Sequence, residues 1–222
     1  MAMGRMRYLI SFLVFLFLCP IILLFIYRLD CVHPISTLMI RDWVSDKKYK
    51  REWVALSDIA FSVPSGVIMS EDGRFCHHSG VDWAMLIDIL KTDSKPLRGG
   101  STINMQVIKN LFLWSNRSYI RKIIEIPYSV MADVILSKKR IIEIYLNVAE
   151  WGPGIYGIEA AAFYYFQKSA RNLTVQQAAA LVASLPNPYW RNPYQPIDNF
   201  IALTHLIEKR IHFSRAYTHC LH

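Results

Sequence analysis

The chain has 222 residues, 53% of them hydrophobic, with 25 Lys and Arg against 17 Asp and Glu, a formal net charge of +8. That length fits one ordinary domain with a full core plus an accessory segment. Cysteines 19, 31, 76 and 220 have no metal-ligand spacing, which excludes a cysteine-built metal framework.

The accessory segment comes first. Leu9 to Tyr27 reads "LISFLVFLFLCPIILLFIY", nineteen residues without a charge. As a helix it would span roughly 28 Å at ~1.5 Å per residue, enough to cross a bilayer. Arg5 and Arg7 precede it, so residues 1–8 are read as a cytoplasmic N-terminus and everything after Arg28 as lying on the far side. The stretch is long for a cleavable signal and no small-x-small site follows it, which favours a retained anchor over 9–27. Leu18 is too bulky for lipid attachment at Cys19. An exported basic domain seldom meets nucleic acid, so anionic lipid headgroups and pyrophosphates are the better partners. Of the three cysteines beyond the anchor not all can pair within one chain, and no disulfide framework is read.

Residues 28–50 read as a juxtamembrane connector and 51–222 as the domain proper, with deletion of 1–27 expected to leave that domain folded. The pattern from Trp53 is helical almost throughout. "VDWAMLIDIL" is a short apolar helix, followed by a loop broken by Pro96, Gly99 and Gly100. Ser101 or Thr102 caps a helix running to about Leu113. The next helix begins near Ser118 and contains Pro127, which removes the helical donor for the Ile123 carbonyl. Ser137 caps "KKRIIEIYLNVAE", which stops at "WGPG". "IEAAAFYYF" is a further helix, Thr174 and Gln177 form a capping box, and a Pro-rich loop leads to a last helix from about Asn199. Runs of β-branched alternation are scarce, so the class is mostly α.

Polar residues collect in four places. "SEDGRFCHHSG" sets Glu71 and Asp72 behind an apolar run and ahead of Phe75 and His78. In "GGSTINMQVIKN", Thr102, Gln106, Lys109 and Asn110 fall on one helix face, next to a glycine pair and a helix N-terminus suited to an anion. "RKIIE" places Arg121 and Glu125 four residues apart, the spacing of an ordinary helical ion pair. "KKRIIEIYLN" adds Lys138, Lys139, Arg140, Glu143 and Asn147. Each alone reads as a solvated face or an ion pair.

In order, "EDGRFCHHSG", "RGGSTINMQVIKNLFL", "RKIIE" and "KRIIEIYLNVAEWGPGIYGIEAAAFYYF" resemble the peptidoglycan glycosyltransferases, most closely the monofunctional biosynthetic transglycosylases, over roughly residues 53–195. The resemblance implies a lysozyme-like, two-lobed α-helical domain held by its single N-terminal transmembrane helix at the bacterial inner membrane, with the catalytic domain outside. It implies polymerisation of lipid II with inversion and release of undecaprenyl pyrophosphate. Glu71 falls on the general base and Glu125 on the second carboxylate, which positions the pyrophosphate through cations or a divalent metal such as Mg or Mn. Ser101, Thr102, Gln106, Lys109, Asn110, Arg121, Lys138 and Arg140 match substrate-binding positions. Asp72, Phe75, His78 and Gly80 match positions that support the loop around Glu71. Implied partners are lipid II, the growing lipid-linked chain, membrane lipids and other wall-synthesis and division proteins. Met105 stands where the family often has glutamine, Asn104 where Ser or Thr is usual, and Gln167 where glycine is common. The competing readings are a lytic transglycosylase or muramidase, and an inactive membrane-anchored partner of the wall-building complex.

Overall fold

The computed structural model describes residues 2–91, 100–116 and 118–222. Pro96 and Gly99 lie outside the described residues. Helix α1 (Ala2–Tyr27) continues through Pro20 and contains the apolar span Arg5–Tyr27, most of it exposed. Pro20 offers no N–H to the turn before it. The Tyr128 hydroxyl donates to the nearby Phe17 carbonyl at 2.9 Å, and the two rings lie 5.9 Å apart.

The last turn of α1 is part of the domain. Leu24 is fully buried, in the same core as Met39, Phe75 and Ile108. The connector is folded too: α2 (Thr37–Val44), capped by Ser36, buries Met39 and Asp42. Asp42 accepts from the Tyr156 hydroxyl at 2.6 Å, tying the segment to a strand 114 residues on.

Beyond it come α3 (Ser62–Glu71), α4 (Trp83–Lys91), α5 (Ile103–Phe112), α6 (Tyr119–Ile135), α7 (Lys138–Val148), α8 (Ile158–Phe166), α9 (Val175–Ser184) and α10 (Asp198–His212). Of the two capping candidates ahead of α5 the structure uses Thr102, and Ser118, where a helix start is expected, is the cap of α6. Thr102, Ser118 and Ser137 each accept from the third residue of their helix, and Thr174 with Gln177 closes a full capping box. Helix α7 is shorter than its apolar pattern predicts. It stops at Val148 because Glu150–Gly152 (β2) pairs antiparallel with Ile155–Tyr156 (β3), to which Lys50–Arg51 (β1) adds in parallel, giving the order β1-β3-β2. Strands of two or three residues carry too little alternation to be read from sequence.

The helices form two packed groups, α3 with α9 and α10, and α5 with α6 and α7, with α1 lying against α6. This mostly α, lysozyme-like architecture sets the C-terminus of α3 against the start of α5. A disulfide joins Cys76 to Cys220, where no pairing was read from the cysteine count; Cys31 is free and exposed.

Candidate active site

Glu71 is the last residue of α3, and Asp72 is its C-cap, with φ −153° and ψ 74°. That change of backbone direction sends the two adjacent carboxylates to different tasks. Asp72 turns inward, 2% exposed, and accepts from the Ile103 N–H at 2.9 Å, at the N-terminus of α5 where negative charge is favoured. It also bonds His78 Nε2 at 2.9 Å. The Thr102 hydroxyl, at the N-cap of α5, donates to the Gly80 carbonyl at 2.7 Å, closing the same latch from the helix side. Gly80 has φ +82°, and a Cβ there would sit 2.3 Å from the Ser129 carbonyl oxygen, so both torsion and space require glycine. Phe75 is fully buried beneath the loop. Asp72, Phe75, His78 and Gly80 thus form a framework around Glu71.

Glu71 itself faces outward from that framework and is only partly buried. Gln106 donates from Nε2 to Glu71 Oε2 at 3.1 Å, and the Tyr145 hydroxyl donates to Gln106 Oε1 at 3.2 Å. Burial pushes the Glu71 carboxyl above its ordinary value, opposed by the Gln106 hydrogen bond and by the charges of Lys109 and Arg191.

A row of cations leads away from Glu71. Lys109, one turn beyond Gln106 on α5, has its pKa lowered by burial and by Arg121, with Glu71 acting in the other direction. On α6, Arg121 pairs with Glu125, both buried, and its Nε donates to the Asn116 carbonyl at 3.0 Å. Lys122 donates to Ser101 Oγ at 2.5 Å and lies 3.6 Å from Glu125 Oε2. Burial and the neighbouring Arg121 and Lys109 push its pKa down to about 8. Crowded cations that suppress one another's charge are suited to an anion that would relieve them. The sequence pattern does not single out Lys122 or Tyr145; each sits one to two residues from Arg121 or from Glu143 and Asn147, and only helix packing shows which way they face.

Two residues expected among the anion ligands have other work. Lys138 bonds Asp133 at 2.6 Å and the His78 carbonyl at 2.7 Å, with its ammonium 4.7 Å from the centre of the Phe75 ring. Arg140 donates to the carbonyls of Tyr27, Leu29 and Val32 at 2.8, 2.9 and 2.5 Å, and pairs with Glu143. It fastens the exit of the anchor to α7. Asn110 is buried, and its carbonyl accepts from Thr37 at 3.2 Å. Met105 is fully buried on the core side of α5, and Asn104 donates to Asp133 at 3.0 Å. A groove of about 910 Å³ at the anchor's exit, lined by Trp53, Phe61, Arg140 and Glu143, contains none of the Glu71 cluster. The chemistry is therefore placed by charge and not by cavity size.

Glu125 is the carboxylate that the sequence resemblance offers to a divalent cation. Its oxygens face Arg121 and Lys122, and among the described residues no group of three His, Cys, Asp or Glu is placed to hold a metal ion. This donor set does not fit a metal held by protein ligands alone, and no step is derived through one.

A helix long and apolar enough to span a membrane, an α-helical domain, and a partly buried carboxylate at the head of a cation row fit an enzyme that handles an anionic substrate. The family model for Transglycosylase matches residues 37–212. The chain is 49% identical over 220 residues to the biosynthetic peptidoglycan transglycosylase of Brucella suis biovar 1, covering 98% of each chain. It is 51% identical over 211 residues to the protein of that name from Rhizobium leguminosarum bv. trifolii, covering 93% and 90%. The chain belongs to the transglycosylase family.

Proposed function

We propose that this enzyme polymerises peptidoglycan glycan strands from lipid II at the membrane surface. The 4-hydroxyl of an incoming disaccharide attacks the anomeric carbon of the growing strand. The bond from that carbon to the pyrophosphate oxygen breaks, undecaprenyl pyrophosphate leaves, and the linkage inverts from α to β. Glu71 takes the hydroxyl proton as the new bond forms. Its partial burial supports this role, because a raised pKa makes a carboxylate a better base near neutrality. Lys109, Arg121 and Lys122 are assigned to the charge developing on the leaving pyrophosphate, with Glu125 holding Arg121 in place.

The observation that carries this reading is that Glu71, bonded to Gln106, lies within electrostatic reach of Lys109, which in turn lies within reach of the α6 cations Arg121 and Lys122. A strand-cutting enzyme needs carboxylates but has no use for a row of crowded, partly buried cations. Incubation with labelled lipid II decides between them: the reading requires growth of long glycan strands, and shortening of preformed strands without growth would overturn it. Arg5 and Arg7 at the inner end of the span support a cytoplasmic N-terminus with the domain outside, which protease treatment of intact spheroplasts would check.

A further inference from the structure

We propose that Tyr145 is a positioning residue for Glu71, acting through the side-chain amide of Gln106. The inference rests on Glu71 being the base. A glutamine amide presents a donor at one end and an acceptor at the other; an ionised carboxylate, which only accepts, takes the donor end, and a hydroxyl donating to the far end supports that sense. Among the described residues, the donor to Gln106 Oε1 is the Tyr145 hydroxyl, at 3.2 Å. Tyr145 projects from α7, is 1% exposed, and burial together with Glu71 and Asp72 pushes its pKa well above the ordinary phenol value. It therefore keeps its proton and stays a donor. With Oε1 so occupied, Nε2 is left to donate to Glu71 Oε2 at 3.1 Å.

The reversed amide would set Oε1 against Oε2, two acceptors, an arrangement relieved only when Glu71 is protonated. By donating to Oε1, Tyr145 thus reinforces the amide sense in which Nε2 faces the ionised base. The other groups facing Glu71 are Lys109 from α5, Arg191 from the loop after α9, and Asp72 beside it in the chain. These act on its charge through space. None of them fixes the direction of the Gln106 amide.

The test is Tyr145→Phe in the full-length protein, with kcat and kcat/KM for lipid II polymerisation measured across pH. Without the hydroxyl, the amide sense that serves the ionised base loses its support at Oε1. The acid limb of kcat/KM should move to higher pH by about half a unit to one unit, the scale on which one hydrogen bond to the charged form shifts a carboxyl. The plateau kcat should stay within about threefold of the parent. In a Gln106→Met background the same substitution should move the limb no further, since the amide that transmits its effect is gone. An unmoved limb in Y145F, or an equal shift in both backgrounds, would overturn the proposal. Loss of cooperative thermal unfolding in Y145F would also overturn it, because the hydroxyl would then be a determinant of the fold. If Glu71→Gln still polymerises, the base assignment itself falls; if that variant is inactive while Y145F keeps the parent limb, only the relay falls.

Discussion

Cys76 and Cys220 are covalently joined across 144 residues, so the loop that follows Glu71 is fastened to the final turn of the chain. The His77 and His219 rings lie 4.9 Å apart beside the bridge, and the turn Ser214–Tyr217 packs against α3, the helix that ends in Glu71. Replacing Cys220 by Ser should cost about 2–4 kcal/mol, the usual range for a bridge closing a long loop. Thermal unfolding with and without reductant checks this. Reductant should destabilise the parent and leave C220S unchanged; equal sensitivity of both would contradict it.

The bridge was invisible to the sequence for a definite reason. An odd number of cysteines beyond the apolar helix shows only that one thiol is left over, and choosing the pair requires knowing that the C-terminal segment returns to α3. Local features were far more legible. Ser137 and Thr174 could be assigned as caps, the α5 cap narrowed to Ser101 or Thr102, and a helix start placed near Ser118, because the signal lies within four residues of each helix start. The four polar clusters were legible as groups, but not the orientation of each member. Lys138 and Arg140 sit in a basic run, yet their partners are Asp133 and the backbone at the anchor's exit, contacts set by tertiary packing.

Gln167 occupies a position with φ 54°, the left-handed C-cap of α8, which accounts in physical terms for glycine being common there. Gln167→Gly should stabilise the protein by about 1 kcal/mol by removing the Cβ cost of that conformation. Chemical denaturation reads the change; a loss of stability would show that the Gln167 side chain makes a compensating contact.

The end of the anchor should be inseparable from the domain. Leu24 is 0% exposed, and Arg140 spends its donors on the Tyr27, Leu29 and Val32 carbonyls. These contacts argue against removing residues 1–27 without consequence for folding. Leu24→Ala should lose about 2–5 kcal/mol, as for other buried leucines, while Phe25→Ala, at an exposed position, should lose much less in detergent. Similar melting of the two variants would place the boundary back at Tyr27.

Lys122 sets a basic limb. A lysine with a pKa of about 8 is charged below that pH and neutral above it, so kcat/KM for the free enzyme should fall as pH rises through this value. Lys122→Arg, which stays charged throughout, should move the limb upward. Lys122→Ala should abolish it and lower the rate on the order of 100-fold. A limb near pH 8 that survives in both variants would assign it to another group.

The measurement closest to the central claim is polymerisation of lipid II by Glu71→Gln. The substitution keeps side-chain size and hydrogen-bonding reach but cannot accept the hydroxyl proton. Because burial raises the Glu71 pKa, the parent should lose activity as pH falls through a value above the ordinary carboxylate range. The variant should polymerise at least ~100-fold more slowly at every pH, with lipid II binding and melting temperature little changed. Polymerisation by Glu71→Gln at the parental rate would contradict the account and transfer the search for the base to Glu125.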